Sequence, residues 1–198
     1  MNTGRCARPD SIPRVRFMVL PTPFPCAYWV DPGRLLAGEY PGARSKRAAR
    51  RKIRALLDCG IRRIVNLMEA DERDYAGNVF RPYEPFAQSM SLSTPRDMIC
   101  RRYPIRDMGV PTAEEMRTIL DAIDAALEAD KPVYVHCLAG VGRTGTVIGC
   151  WLVRHARASG RDVIDAIRDL RRNDPHADWA SPQSAVQRNM VRRWQRGH

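Results

Sequence analysis

Between residues 45 and 58 apolar positions recur at helical spacing. Ala49, Ile53, Leu56 and Leu57 share one side, Ser45 is placed to cap the first turn, and Gly60 stops the run. The same period returns after Thr112, where Met116, Ile119, Leu120, Ile123 and Leu127 form a stripe reaching to about Ala129. Thr112 and Glu115 have the spacing of a capping box. Further helices are predicted from Arg143 to about Ala158, from Arg161 to Arg172, and from Pro182 to Arg196 with Ser181 as cap. Short runs with strand character lie between them: Leu35 to Ala37 after a turn at Asp31-Pro-Gly, Ile61 to Met68, Cys100 to Ile105, and Pro132 to His136. The last is apolar enough for the centre of a sheet. Strands interleaved with helices predict an α/β domain. Residues 70–98, with prolines at 82, 85 and 95, are expected to form a long surface connection with short helical pieces.

Residues 1–26, rich in Pro and Arg and without a period, are expected to be an extended arm ahead of a single domain at 27–198. No run is long and apolar enough for a membrane span, and the stretch from Val15 to Val30 is broken by prolines. The six cysteines show no CxxC and no paired spacing, which suits free thiols in a reducing cytoplasm and no metal site. Net charge is +11, and only three of the 33 basic residues are lysine. Arginine forks fit phosphate and carboxylate oxygens, so an anionic partner is one reading and a solvated arginine-rich surface the other.

The informative stretch is His136-Cys-Leu-Ala-Gly-Val-Gly-Arg-Thr-Gly145, between a buried strand and a helix. A loop there can turn its N–H groups inward while the helix N-terminus adds partial positive charge, which makes an anion site. Leu138, Ala139 and Val141 need supply only backbone N–H groups, and Gly140 and Gly142 permit close approach. Cys137 sits where the helix end and Arg143 favour a thiolate, which can attack phosphorus unaided by a base. Arg143 can place its fork on two phosphoryl oxygens, and Thr144 can donate its hydroxyl to the sulfur. A nucleotide-binding loop would need a lysine where Arg143 stands. A phosphate monoester also needs an acid for its leaving oxygen, and Asp71, Asp74 and Asp107 are candidates.

The stretch matches HCxxGxxR[ST]G, and on it the chain resembles the protein tyrosine and dual-specificity phosphatase superfamily. The resemblance implies a central, mostly parallel sheet of four to five strands flanked by helices, a cysteinyl-phosphate intermediate and no cofactor or metal. It implies that His136 stabilises the loop. Ile105-Arg-Asp-Met-Gly-Val-Pro111 resembles the superfamily's mobile acid loop and makes Asp107 the acid, although Ile105 and Arg106 replace its usual Trp and Pro. Pro182-Gln-Ser-Ala-Val-Gln187 resembles its glutamine loop, so Gln183 and Gln187 would position the hydrolytic water. Residues 28–42 resemble the first strand of small bacterial-type members, and no counterpart of the phosphotyrosine-recognition loop is found. Tyr75, Tyr83 and Phe86 are candidates for a pocket wall, though packing is the plainer role for each.

The expected substrate is a phosphorylated protein, through phosphotyrosine or dual specificity. Leu138 and Val141 stand where inositol-lipid phosphatases tend to carry lysine. The basic face at 46–54 keeps an anionic membrane surface, and with it a phosphoinositide substrate, as alternatives. An RNA 5′-phosphatase is a third reading, although nucleic acid ranks below the other partners. A phosphate-binding module without turnover is the rival from another class.

Overall fold

A computed structural model describes residues 20–74, 76–92 and 97–198. The expected arm therefore lies largely outside the described residues, as does Tyr75. The elements are β1 (Ala27–Asp31), β2 (Leu35–Gly38), α1 (Lys46–Asp58), β3 (Arg63–Asn66), α2 (Glu84–Leu92), β4 (Ile99–Arg102), α3 (Ala113–Glu128), β5 (Val133–His136), α4 (Gly142–Arg154), α5 (Val163–Leu170) and α6 (Ala185–Arg193).

The strands form one five-stranded sheet in the order β1-β2-β5-β3-β4. β1 and β2 are antiparallel across the Asp31-Pro-Gly turn, and every other pair is parallel. The expected mostly parallel sheet flanked by helices is what the chain forms. All four residues of β5 are buried, which suits the middle of a sheet covered on both faces. One face packs on α3, α4, α5 and α6 through residues such as Ile119, Ile148, Ile167 and Val191. The other packs on α1 and α2 through Leu36, Ile53, Leu56, Ile64 and Tyr83.

Since β2, β3, β4 and β5 run parallel, the segments leaving Gly38, Asn66, Arg102 and His136 emerge at one edge of the sheet. In open α/β sheets that edge is where ligands bind. It brings residues 39–45, 67–74, 103–111 and 137–141 together.

Ser45 caps α1, and the capping box of Thr112 and Glu115 opens α3. Other boundaries differ from expectation. α4 ends at Arg154, with Ala156 in a left-handed conformation (φ 53°). β4 stops before Pro104, which has no N–H to continue a ladder. α6 begins at Ala185 rather than Pro182, and its cap is Ser184 rather than Ser181. There Ser184 Oγ accepts the N–H of Gln187, and Gln187 Oε1 accepts the N–H of Ser184. This reciprocal pair satisfies two end groups and outweighs the preference of proline for a first turn.

Candidate active site

β5 delivers Cys137 to the sheet edge and α4 begins at Gly142, so the loop between them spans residues 137–141. Three of its carbonyls are occupied. Cys137 O bonds His136 Nδ1 at 2.9 Å, Leu138 O accepts the N–H of Tyr40 at 2.9 Å, and Val141 O accepts Ser181 Oγ–H at 2.7 Å. The N–H groups of Leu138, Ala139, Gly140, Val141 and Gly142 have no partner among the described residues. A loop with its donors free and most of its acceptors taken is a receptor for an anion. Gly140 has φ 73°, and a Cβ there would lie 2.5 Å from the carbonyl carbon of Gly38. The strand and the loop touch where side chains are missing on both.

Arg143, in the first turn of α4, is 1% exposed, and both of its terminal nitrogens are engaged by Glu72. Nη1 meets Glu72 Oε2 at 2.6 Å and Ile105 O at 3.2 Å; Nη2 meets Glu72 Oε1 at 2.8 Å. Asp107 Oδ1 lies 3.1 Å from Nη2, with an exposed side chain. Burial pulls the guanidinium pKa down, but hydrogen bonding to Glu72 and the negative charges of Cys137, Glu72 and Asp107 raise it above its ordinary value. Arg143 is therefore a fixed cation. Its Nε and Thr144 Oγ1 are buried without a partner, two further donors for an anion in the loop.

His136 is fully buried. A carbonyl can only accept, so Nδ1 carries the proton toward Cys137 O, and Nε2 accepts the hydroxyl of Tyr83 at 2.6 Å. Desolvation, with smaller effects from Arg102 and Arg143, pushes its pKa down to about 3. The ring is thus a neutral brace under Cys137. Burial raises the other described thiols, Cys26 to about 11, Cys100 to about 12, and Cys59 and Cys150 above their ordinary value, which makes each a weak nucleophile.

The 105–111 segment is tied to the head of α6. Ser184 Oγ donates to Met108 O at 2.9 Å, and Gln187 Nε2 donates to Gly109 O at 3.0 Å. Met108 is left-handed (φ 59°), which turns the chain back just after Asp107. Both glutamines reach the loop: a Cβ at Gly142 would meet Gln183 Oε1 at 3.0 Å and Gln187 Oε1 at 3.2 Å. They differ in engagement. The amide of buried Gln187 is used at both ends, whereas Gln183 is exposed with no partner for its amide among the described residues.

His136, Cys137, Arg143, Thr144, Asp107, Gln183 and Gln187 thus lie around one loop. The other candidate acids do not join them: Asp74 turns onto the N–H groups of Ala76 and Asn78, both at 2.9 Å, and Asp71 has no bond to the site. The sequence reading missed Glu72, the bracing role of Tyr83, and the grip of Ser181 and Ser184. Among these only Ser184 carried a local signal, the Ser-x-x-Gln spacing to Gln187. Tyr83 and Phe86 pack within the α1–α2 side of the core, as the plainer reading had it.

The family model of the polymorphic toxin system DSP-PTPase phosphatases (Tc-R-P) matches residues 39–157, more than half of the chain. The chain belongs to this family. It is 31% identical over 152 residues to the dual specificity protein phosphatase CDC14AB of Danio rerio, covering 72% of this chain and 21% of that protein. It is 29% identical over 115 residues to a protein tyrosine phosphatase domain-containing protein 1 of the same fish, covering 58% of this chain and 16% of the relative. The chain therefore corresponds to a minor part of each of these curated relatives. Among solved structures, Tk-PTP in its active form superposes with a TM-score of 0.63 at 23% identity, over 87% of this chain and 97% of that one. Kinase associated phosphatase superposes with a TM-score of 0.63 at 23% identity, over 79% and 83%. Both share the fold. By family the chain belongs to the tyrosine and dual-specificity phosphatase superfamily. No helix among the described residues is long and apolar enough to cross a membrane.

Proposed function

We propose that the protein hydrolyses phosphate monoesters on phosphorylated proteins, through a cysteinyl-phosphate at Cys137. The observation that carries the reading is the loop itself. Five N–H groups, the Nε of Arg143 and the hydroxyl of Thr144, all without a partner among the described residues, belong to the loop and first helical turn that follow the Cys137 sulfur.

In the first step the Cys137 thiolate attacks phosphorus in line, the S–P bond forms and the bond to the leaving oxygen breaks. Asp107 passes its proton to that oxygen, while Arg143 and the loop N–H groups hold the equatorial oxygens. In the second step water attacks phosphorus, Asp107 takes its proton, the S–P bond breaks and phosphate leaves. Thr144 stabilises the departing thiolate. Gln183, whose amide is uncommitted, orients the water, and Gln187 holds the acid loop in place.

A protein substrate is favoured over a polyphosphorylated headgroup because Leu138, Ala139 and Val141 bring no second cation to the loop. The names of the two curated relatives favour a protein substrate, whereas PTPMT1, a solved structure of similar fold, is in complex with PI(5)P. The test is hydrolysis of para-nitrophenyl phosphate with and without vanadate, then kcat/KM across phosphotyrosine and phosphoserine peptides, inositol lipids and RNA 5′ ends. Vanadate-sensitive turnover lost in Cys137→Ser, with peptides the best substrates, is expected. Turnover surviving in Cys137→Ser would remove the nucleophile, and a preference for lipid or RNA would remove the substrate class. Asp107→Asn should slow alkyl phosphates more than aryl phosphates with good leaving groups; equal losses would count against Asp107 as acid.

A further inference from the structure

We infer that a basic groove between α1 and α2 is a docking site for an extended, acidic segment of a partner protein, separate from the phosphate loop. The groove has a volume of about 730 Å³ and is lined on the α1 side by Lys46, Arg47, Arg50, Arg51 and Arg54, with Asp58 the sole acid in its wall. The five cations are exposed, and none takes part in an ion pair among the described residues. At about 100° per residue they fall within one arc of roughly 140°, beside the buried stripe of the helix. Lys52, on the opposite side, is by contrast paired with Glu39 at 2.6 Å.

Stability does not account for this arrangement. Lys46 and Arg47 stand in the first turn of α1, where the helix end is already positive; that turn holds no acid, and the last turn holds no base. Like charges crowded at the unfavourable end of a helix are relieved when an anion lies over them.

The spacing selects the anion. Lys46 and Arg47, then Arg50 and Arg51, then Arg54 form rungs four residues apart, a rise of about 6 Å each. An extended chain presents alternate side chains on one side every ~6.6 Å or slightly more. Carboxylates at alternate positions would therefore meet successive rungs, and guanidinium forks bind carboxylates bidentately. The groove is concave, which fits a strand better than a planar layer of headgroups. Its lining has no aromatic side chain on which a base could stack.

The test is a fluorescein-labelled peptide of alternating Glu and Ser, titrated with the full chain and followed by anisotropy. Saturable binding that weakens as salt rises is expected. Arg50→Glu with Arg54→Glu should weaken it by about tenfold or more, with para-nitrophenyl phosphate turnover unchanged as evidence of an intact fold. The independent pair Arg47→Glu and Arg51→Glu should do the same, so failure of one variant to fold does not decide the matter. The inference is overturned if the parent does not bind the peptide or if both charge-reversed pairs bind it as the parent does. It is also overturned if oligouridylate or phosphatidylserine vesicles bind the groove more tightly than the peptide.

Discussion

Glu72 grips both terminal nitrogens of Arg143, at 2.6 and 2.8 Å, and so fixes the plane of the guanidinium beside Cys137. The pair is well buried, with the arginine 1% and the glutamate 11% exposed. Removing one partner of such a pair leaves the other charged in a poorly solvated place.

Glu72→Ala should therefore cost about 3 kcal/mol in stability, within the range seen for broken buried pairs. Glu72→Gln keeps the shape and loses the charge. It should lower kcat/KM by about a hundredfold if the fork shifts by about an ångström. Urea unfolding and steady-state kinetics on the two variants separate the effects; unchanged kcat/KM in both would mean that Ile105 O, Asp107 and the loop hold Arg143 without Glu72.

The two glutamines should fail differently. Gln187→Ala removes half of the capping box and the bond to Gly109 O. It should cost about 1 kcal/mol in stability and slow substrates with poor leaving groups most, because Asp107 is then less well placed. Gln183→Ala should leave stability unchanged and slow only breakdown of the intermediate, giving a pre-steady-state burst of nitrophenol. A burst in the first variant and none in the second would reverse the assignment.

His136 sets an acid limit. Its pKa in the folded chain is about 3 against an ordinary 6.5, so between these values the unfolded chain binds the extra proton. Stability must therefore fall as pH drops below about 6.5, by up to about 1.4 kcal/mol per pH unit from this group. His136→Gln should be less stable at neutral pH, yet should lose about 1.6 kcal/mol less than the parent between pH 6.5 and 5. Chemical denaturation at the two pH values measures it; parallel losses would show that the ring is already protonated in the folded state.

Two glycines with left-handed backbones make a matched comparison. At Gly60 (φ 90°) a Cβ would meet nothing within 4 Å, whereas at Gly140 (φ 73°) it would strike the backbone of Gly38. Gly60→Ala should cost only the conformational strain of about 1–2 kcal/mol and leave turnover intact. Gly140→Ala must move the loop and should abolish turnover. Equal activity in the two variants would show that the loop tolerates displacement.

What was legible in the sequence was local. The nucleophile loop, the Thr112 capping box and the core stripe of α3 are set by neighbours a few residues apart. The partners of Arg143 and His136 were not legible, because Glu72 and Tyr83 lie 71 and 53 residues away along the chain, in a polar connection with no period. α6 was misplaced because Pro182 offered a plausible first turn, although Ser184 and Gln187 carried the stronger end signal. Asp107 was singled out through resemblance, and its tie to α6 through Met108 and Gly109 is a tertiary fact that spacing alone does not contain.

The segment joining β3 to β4 supplies Glu72 and Tyr83, one for each side of the nucleophile. A protein carrying the same ten-residue signature on a shortened version of that segment would keep its sulfur and its arginine. It would have nothing to orient the arginine or to prop the histidine beneath the sulfur. Catalytic competence in such chains is therefore better judged by what faces the signature from the neighbouring strand's exit than by the signature itself.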